Sequence, residues 1–245
     1  MNPALMDIHQ SWHEVILSEL YKEPLATLNR LLPNISYQPS QENIFRAFQM
    51  PLKDVKVVIL GQDPYPTPGD AIGYAFAANE RRKTPKSLKI IAGEIEKEGL
   101  KTGFYDSDIG HWQTLEYWTK QGVLLLNTAL TVQTASAGSH LKYWQNFTAK
   151  IISHISIHQP CIWIFWGKKA KFFIPCLQRD PFHVKGYDRV TIEEIPIDDD
   201  YNYILTAPHP AAELYTNGNG GFYGCDHFYL TNRILTKKGL PEIIW

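Results

Sequence analysis

Cysteine is scarce in this sequence and is not arranged in pairs. The 245 residues include three cysteines, an odd number with no CxxC spacing: Cys161, Cys176 and Cys225. This pattern argues against a disulfide framework and against a four-cysteine zinc or iron–sulfur site. Reduced thiols fit better, so we expect a cytoplasmic protein, or a nuclear one if its source is eukaryotic or viral.

Long apolar segments and an excess of one charge are also missing. No run approaches the ~20 apolar residues that a membrane-spanning helix needs. The first fifteen residues, MNPALMDIHQSWHEV, contain no basic stretch followed by an apolar one, so we expect neither a secretory signal nor membrane association. The net charge of −1 argues against nucleic-acid binding by the overall field of the protein, but it leaves room for a local basic patch.

Metal-ligating residues are poorly spaced as well. His154 and His158 stand four residues apart near the expected end of a helix. No third ligand follows at a suitable distance along the chain, and a surface or core pair of histidines accounts for them. We therefore expect no bound metal.

The pattern that is present is that of an α/β protein. With 44% hydrophobic residues and no linker or repeat, residues 1–245 are predicted to form one domain. Helical periodicity is seen at residues 12–32, 42–48 and 87–97. Four apolar runs predict parallel strands at residues 57–60, 123–126, 161–166 and 203–206. We predict a three-layer α/β/α sandwich around a central four-stranded parallel sheet, with the polar residues 180–200 as a solvated loop or hairpin.

Polar side chains follow each predicted strand at its carboxyl end. Asp63 comes just after the first strand, Asn127 follows the second, and His209 follows the fourth. Lys168 and Lys169 follow the third. Because the carboxyl ends of parallel strands meet at one edge of a sheet, where ligands bind, we predict that these side chains form one site.

Each of these residues also has a purely structural explanation. An aspartate such as Asp63 commonly caps loop N–H groups, and a histidine between prolines such as His209 commonly occupies a turn. Asn127 suits the N-cap of a helix. Lys168 and Lys169 suit a solvated surface. All of these residues follow predicted strands, and four independent structural explanations are less convincing than one shared site.

Longer segments around these residues resemble uracil-DNA glycosylases of the uracil-N-glycosylase type. The segments are GQDPYP at 61–66, GVLLLN at 122–127, FWGKKA at 165–170, and HP at 209–210 followed by GFYGCDHF at 221–228. The likeness runs from about Trp12 to Leu235. It implies the uracil-DNA glycosylase-like fold and a base excision repair enzyme. Such an enzyme flips deoxyuridine out of DNA and hydrolyses its N-glycosidic bond without a cofactor or a lyase step.

The resemblance also implies the catalytic roles. Asp63 corresponds to the residue that orients the attacking water and favours positive charge on the sugar. His209 corresponds to the histidine that hydrogen-bonds uracil O2 as negative charge builds on the leaving base. Asn127 corresponds to the amide that accepts from uracil N3–H and donates to O4, a pattern that cytosine reverses.

Three more residues complete the implied uracil site. Tyr65 corresponds to the ring that fills the space beside uracil C5, where thymine carries a methyl group. Phe76 corresponds to the aromatic that stacks on the flipped base, and Gln62 contributes a further contact to the base. Without the resemblance, core packing explains Phe76 equally well.

On the DNA side the resemblance implies phosphate contacts. Ser87 corresponds to a phosphate-binding serine, and Gly167 with Lys168 corresponds to a loop that approaches another phosphate, although the family commonly has serine at the second position. The implied partners are uracil-containing DNA, single- or double-stranded, and proteinaceous inhibitors that mimic DNA. We expect the protein to be a monomer.

The sequence departs from the family pattern in two loops. Pro66 stands where the family usually has histidine, and Ala211 replaces a phosphate-binding serine. Glu213 takes the nominal place of the leucine that wedges into the vacated stack, where an acid pushed towards phosphates would be costly. Leu214 can serve as the wedge if the loop carries a one-residue insertion. We expect uracil excision with altered duplex binding and a relative preference for single strands.

Two other interpretations remain open on the sequence alone. One is a catalytically weak DNA-binding or scaffold protein on the same fold, which the presence of Asp63, Asn127 and His209 argues against. The other is a different branch of the glycosylase superfamily with mismatch or broader base specificity. Asp63 and Tyr65 favour uracil over that alternative.

Overall fold

The computed structural model describes residues 7–100, 112–179, 181–184 and 195–245. Its strands are β1 (Tyr37–Gln38), β2 (Val57–Gly61), β3 (Val123–Asn127), β4 (Val132–Gln133), β5 (Ile162–Trp166), β6 (Phe182–Val184) and β7 (Tyr203–Ala207). Its helices are α1 (His13–Leu20), α2 (Leu25–Leu31), α3 (Lys86–Lys97), α4 (Glu116–Thr119), α5 (Leu141–His158), α6 (Gly167–Lys171), α7 (Ala212–Tyr215) and α8 (His227–Lys237). None of the helices within these ranges is long and apolar enough to cross a membrane.

A parallel sheet with the strand order β3-β2-β5-β7-β6 lies at the centre of the fold. Its first four strands are the four predicted ones, with bounds that differ by one residue at most. The fifth strand, β6, was not predicted, and it lies inside the segment expected to be a loop or hairpin. Three residues at a sheet edge, with His183 exposed between Phe182 and Val184, form no apolar run that a sequence search would detect. Residues 180 and 185–194 of that segment lie outside the described residues.

The sheet is covered on both faces, which explains its uniformly apolar strands. Val58 and Leu60 belong to one hydrophobic layer together with α1, α2 and α5, whereas Val57 and Ile59 belong to the other together with α3 and α8. Every residue of β2, β3 and β5 is buried. Parallel strands buried on both faces need no alternation of polar and apolar residues. The predicted α/β/α sandwich is therefore confirmed, with one strand more than expected.

The helical predictions are confirmed only in part. α3 covers the segment predicted at 87–97. The single helix predicted at 12–32 is instead two helices, α1 and α2, because Pro24 lacks the backbone N–H that a continuous helix requires. Residues 42–48 form two 3-10 turns, Gln41–Asn43 and Arg46–Gln49, rather than an α-helix.

The strand register brings the loops that follow β2, β3, β5 and β7 to one edge of the sheet. Gly61 at the end of β2 pairs with Asn127 at the end of β3, and Trp166 at the end of β5 pairs with Ala207 at the end of β7. The chain leaves all four strands on the same side. This is the edge at which α/β proteins place their ligand sites.

Candidate active site

A cavity of about 240 Å³ opens at this edge of the sheet. All six predicted catalytic and uracil-binding residues line it, together with one of the residues predicted to contact DNA. The lining residues are Gly61, Gln62, Asp63, Pro64, Tyr65, Pro66, Phe76, Ser87, Asn127 and His209. The strand-end pattern predicted that Asp63, Asn127 and His209 would meet, and they line one pocket. Lys168 and Lys169, which the same pattern placed in the site, do not line it.

Asp63 is held by hydrogen bonds to both of its carboxylate oxygens. Oδ2 accepts from the backbone N–H of Gly138 at 2.5 Å, and Oδ1 accepts from Nε2 of Gln62 at 2.9 Å. Burial raises the pKa of the Asp63 carboxyl above its usual value, although these two bonds oppose the shift. The same loop is anchored a second time, since the N–H of Ala135 donates to the carbonyl of Pro66 at 3.0 Å. The result is a fixed carboxylate at the pocket wall.

His209 is held in one tautomer. The backbone N–H of Ala211 donates to its Nδ1 at 3.1 Å, so in the neutral ring the proton sits on Nε2. Burial lowers the pKa of His209, which keeps the ring neutral at physiological pH. The imidazole is thus a neutral N–H donor. Ala211 thus acts on His209 through its backbone N–H. The sequence suggested only the loss of a phosphate-binding serine side chain at this position.

Gly167 lies against His209 rather than in the cavity wall. Its φ is +86°, and a Cβ at this position would lie 2.9 Å from the Cβ of His209. Both the left-handed backbone and the close approach require glycine. The structure therefore gives Gly167 a packing role against His209, whereas the sequence predicted a phosphate contact for it.

Asn127 is the buried last residue of β3, and its side chain lies over Gly61. A Cβ on Gly61 would be 2.5 Å from Oδ1 of Asn127 and 2.8 Å from the Cβ of Ala75. No helix follows Asn127, so its explanation as an N-cap is wrong. Thr128 joins the two loops, since its N–H donates to the carbonyl of Gly61 at 2.9 Å and its hydroxyl to that of Gln62 at 2.6 Å. Sequence reasoning missed Thr128.

Tyr65 and Phe76 form the aromatic side of the pocket. The Tyr65 hydroxyl donates to the carbonyl of Phe76 at 2.9 Å, and its burial raises the pKa of the phenol. The Phe76 ring packs edge-on against Trp166, with 5.3 Å between centroids, and lies 5.8 Å from the ring of His209. Phe76 has a φ of +63°, a conformation rare for a bulky residue, which fixes its ring at the cavity. The core-packing and base-stacking explanations are therefore compatible.

The other residues predicted to contact DNA are spread around the cavity. Ser87 lines it from the first turn of α3. Lys168 in α6 and Leu214 in α7 do not line it, and both are exposed. Leu214 is 43% exposed.

Glu213 is buried and does not point towards solvent. Its carboxylate is therefore not directed at the DNA phosphates, as its place in the sequence had suggested. Its carboxylate is buried and accepts from the backbone N–H groups of Gly220 at 2.8 Å, Phe222 at 2.5 Å and Tyr223 at 3.0 Å. Burial alone would raise the pKa of Glu213, but these three bonds outweigh it and the pKa is lowered. The Glu213 carboxylate thus binds the segment from Gly220 to Tyr223 to α7, and the next residue, Leu214, remains at the surface.

The His154–His158 pair has no third ligand group close enough to complete a metal site within the described ranges. Their rings lie 4.5 Å apart. In those ranges, three potential ligand groups come together only at Glu94, Glu98 and Cys225. Both carboxylate oxygens of Glu94 already accept from the N–H of Gly224 at 2.8 Å, so this cluster serves the start of α8.

Comparison with known proteins agrees with this geometry. The family model of the uracil DNA glycosylase superfamily matches residues 48–236. A uracil-DNA glycosylase from Fusobacterium nucleatum is 38% identical, covering 97% of this chain and 96% of that protein, and one from Escherichia coli is 38% identical, covering 96% and 94%. The crystal structure of mimivirus uracil-DNA glycosylase superposes with a TM-score of 0.76 at 23% identity, covering 99% of this chain and 88% of that one. The chain belongs to the uracil DNA glycosylase superfamily.

Proposed function

We propose that this protein removes uracil from DNA by hydrolysing the bond between N1 of the base and C1′ of the sugar. It releases free uracil and leaves an abasic site for base excision repair. The observation that carries this proposal is the meeting of Asp63, Asn127 and His209 in one cavity, each supplied by the end of a different parallel strand. The full-length similarity to bacterial uracil-DNA glycosylases supports the same activity.

Asp63 serves the sugar side of the reaction. As the C1′–N1 bond breaks, its electron pair leaves with the uracil and positive charge develops on the sugar. A fixed carboxylate stabilises that charge, orients a water molecule towards C1′ and takes the proton that the water loses. The raised pKa of Asp63 makes it a better proton acceptor than an exposed aspartate.

His209 serves the leaving base. Negative charge collects on uracil O2 as the bond breaks, and the Nε2–H of the neutral ring donates a hydrogen bond to it. A donor that is fixed before the reaction stabilises the transition state more than the ground state.

Asn127 and Tyr65 select the base. The Asn127 amide accepts from N3–H and donates to O4 of uracil, and cytosine presents the opposite pattern. Its packing over Gly61 holds the amide still, which makes the discrimination strong. The Tyr65 ring fills the space that the thymine methyl group would need, and Phe76 stacks on the base.

DNA binding uses the rim of the cavity. Extrusion of the nucleotide exposes the base to the pocket, and Leu214 fills the vacated stack. Ser87, Gly167 and Lys168 face the phosphates. No lysine amine lines the cavity in the described part of the chain, which supports hydrolysis without a lyase step.

The partners we propose are single- and double-stranded DNA that contains uracil. A structural relative, a single-residue variant of mimivirus UNG, was crystallised in complex with UGI, and it aligns with a TM-score of 0.77 at 23% identity. We extend this to inhibitor proteins that imitate DNA and compete for the same cavity. We further propose that the protein acts as a monomer in the cytoplasm, or in the nucleus of a eukaryotic host.

The test is release of free uracil by the purified protein from an oligonucleotide with one deoxyuridine. Asp63→Asn keeps the size of the side chain, but it removes the charge and replaces one of the two acceptor oxygens by an NH2 group. We expect it to lower the rate by roughly 10²–10⁴-fold. A wild-type protein that binds uracil-containing DNA and releases no uracil would instead establish the scaffold interpretation.

A further inference from the structure

A second concave surface lies beside the uracil cavity. This groove, of about 340 Å³, is larger than the cavity itself. Its lining combines apolar walls with a polar mouth, and the lining residues are Thr128, Leu141, Gln145, Lys168, Lys169, Phe172 and Phe173. We call it the Phe172 groove.

Phe172 is unusual among the aromatic residues of this region. Its ring is 59% exposed although it packs edge-on against the buried Phe173, with 5.4 Å between centroids. An accessible aromatic ring therefore lines the groove. An accessible aromatic ring of this kind can serve as a stacking platform for a nucleobase.

The rim of the groove is basic. Lys168 and Lys169 are exposed on α6, and neither forms an ion pair with any residue in the described ranges. The groove therefore joins an apolar platform to free positive charge. Single-stranded nucleic acid presents the complementary combination of bases and phosphates.

The Phe172 groove and the uracil cavity are lined by residues that are neighbours in the chain. Thr128, which lines the groove, directly follows Asn127, which lines the cavity. Lys168 directly follows Gly167, which contacts His209. A strand with its uridine in the cavity thus passes the mouth of the groove with a neighbouring nucleotide.

We propose that the Phe172 groove is a second nucleobase site. An unpaired base of the strand that carries the uridine stacks on Phe172, Gln145 contacts its edge, and Lys168 and Lys169 contact its phosphates. This proposal rests on the proposed excision of uracil, because the uridine in the cavity sets the position of the strand. In a duplex the neighbouring base is paired and cannot enter the groove, so the site favours single-stranded substrate.

Binding of a fluorescein-labelled single-stranded 11-mer with one central deoxyuridine tests the proposal. All measurements use the Asp63→Asn background, so that the DNA stays intact, and the readout is fluorescence anisotropy. We expect Phe172→Ala to weaken binding roughly tenfold, Phe172→Leu to weaken it nearly as much, and Phe172→Tyr to restore it, because stacking needs a ring. The same variants bind the duplex form as the parent does.

A scan with abasic spacers locates the base. Replacing one flanking nucleotide at a time by a spacer should weaken binding at a single position in the parent protein and at none in Phe172→Ala. Tyr21→Ala is the matched control, since this side chain is 81% exposed and lies outside the groove. It should bind both DNA forms normally.

Two results would overturn the second site. One is an equal loss for single-stranded and duplex DNA in Phe172→Ala, and the other is a spacer scan without a sensitive position. Uracil release by the protein with Asp63 intact is measured in parallel. Absence of release from any substrate would remove the proposed function, whereas normal release with a flat scan would remove only the groove.

Discussion

The backbone N–H of Ala211 fixes the tautomer of the neutral His209 ring. The N–H of Ala211 donates to Nδ1 of His209 at 3.1 Å, and burial lowers the pKa of the imidazole. In the neutral ring the proton is therefore on Nε2, the nitrogen that we propose donates to the oxygen of the leaving base. Asp63 has the opposite shift, since burial raises its pKa. Both shifts bear on the pH at which the enzyme works.

The first prediction is a rate profile that falls only on the acid side. Activity needs Asp63 ionised, with a pKa above its usual 3.8, and His209 neutral, with a pKa below its usual 6.5. We therefore expect kcat/KM to be level above about pH 6.5 and to fall as the pH drops from 6.5 towards 3.8. His209→Gln removes the titrating ring, so the fall that remains belongs to Asp63. A profile that still rises between pH 7 and 8 would contradict this assignment.

The second prediction concerns Gly61. A methyl group at this position would lie 2.5 Å from Oδ1 of Asn127, so Gly61→Ala should push the amide out of alignment with the base. We expect kcat/KM for uracil to fall roughly 100-fold, because hydrogen bonds made in the transition state are lost. Gly93→Ala is the control, since the three atoms nearest to its added methyl group all belong to Tyr223, and uracil release should be unchanged. Equal activity of Gly61→Ala and wild type would mean that Asn127 does not read the base.

The third prediction separates the ring of Tyr65 from its hydroxyl. Tyr65→Ala opens space beside the base and should give measurable release of thymine. Tyr65→Phe loses only the hydrogen bond to the carbonyl of Phe76, so it should continue to exclude thymine at a cost of about 1 kcal/mol in stability. Product analysis on paired oligonucleotides with uracil or thymine checks both. Failure of Tyr65→Ala to release any thymine would contradict the role of the ring.

How much of this site the sequence predicts depends on how local each signal is. Asp63 and Asn127 were predicted because each ends an apolar run, a pattern contained within a few residues. The hydrogen bond from Gly138 to Asp63 spans 75 residues and uses a backbone N–H, so no residue type in the sequence indicates it. The inward turn of Glu213 is equally hidden, since its partners are three backbone groups in a later loop.

The fourth prediction concerns Glu213, whose pKa is lowered in the folded protein. Its contribution to stability is complete above its usual pKa of 4.5 and is lost as the pH falls through the lower folded value. Glu213→Ala leaves three backbone N–H groups without their acceptor and should destabilise the protein by about 2 kcal/mol at pH 7. Thermal unfolding at pH 7 and at pH 3.5 checks this. The difference between variant and wild type should shrink at the lower pH, and an undiminished difference would contradict the prediction.

The last prediction identifies the residue that fills the stack after the uridine leaves it. Leu214 and Tyr215 are adjacent at the end of α7, and they are 43% and 86% exposed. Because the Glu213 carboxylate points inward, Leu214 is the first exposed apolar side chain after His209. Leu214→Ala should therefore lower kcat/KM on duplex DNA about tenfold and affect single-stranded DNA little, since only a duplex has a vacated stack to fill.

Tyr215→Ala is the matched control for that comparison, with the same truncation one residue further on. It should leave the ratio of duplex to single-strand activity unchanged. The opposite outcome, a loss specific to duplex DNA in Tyr215→Ala and none in Leu214→Ala, would transfer the wedge to the tyrosine. Equal activity of both variants on both substrates would mean that α7 inserts no side chain, and that the duplex is opened by phosphate contacts alone.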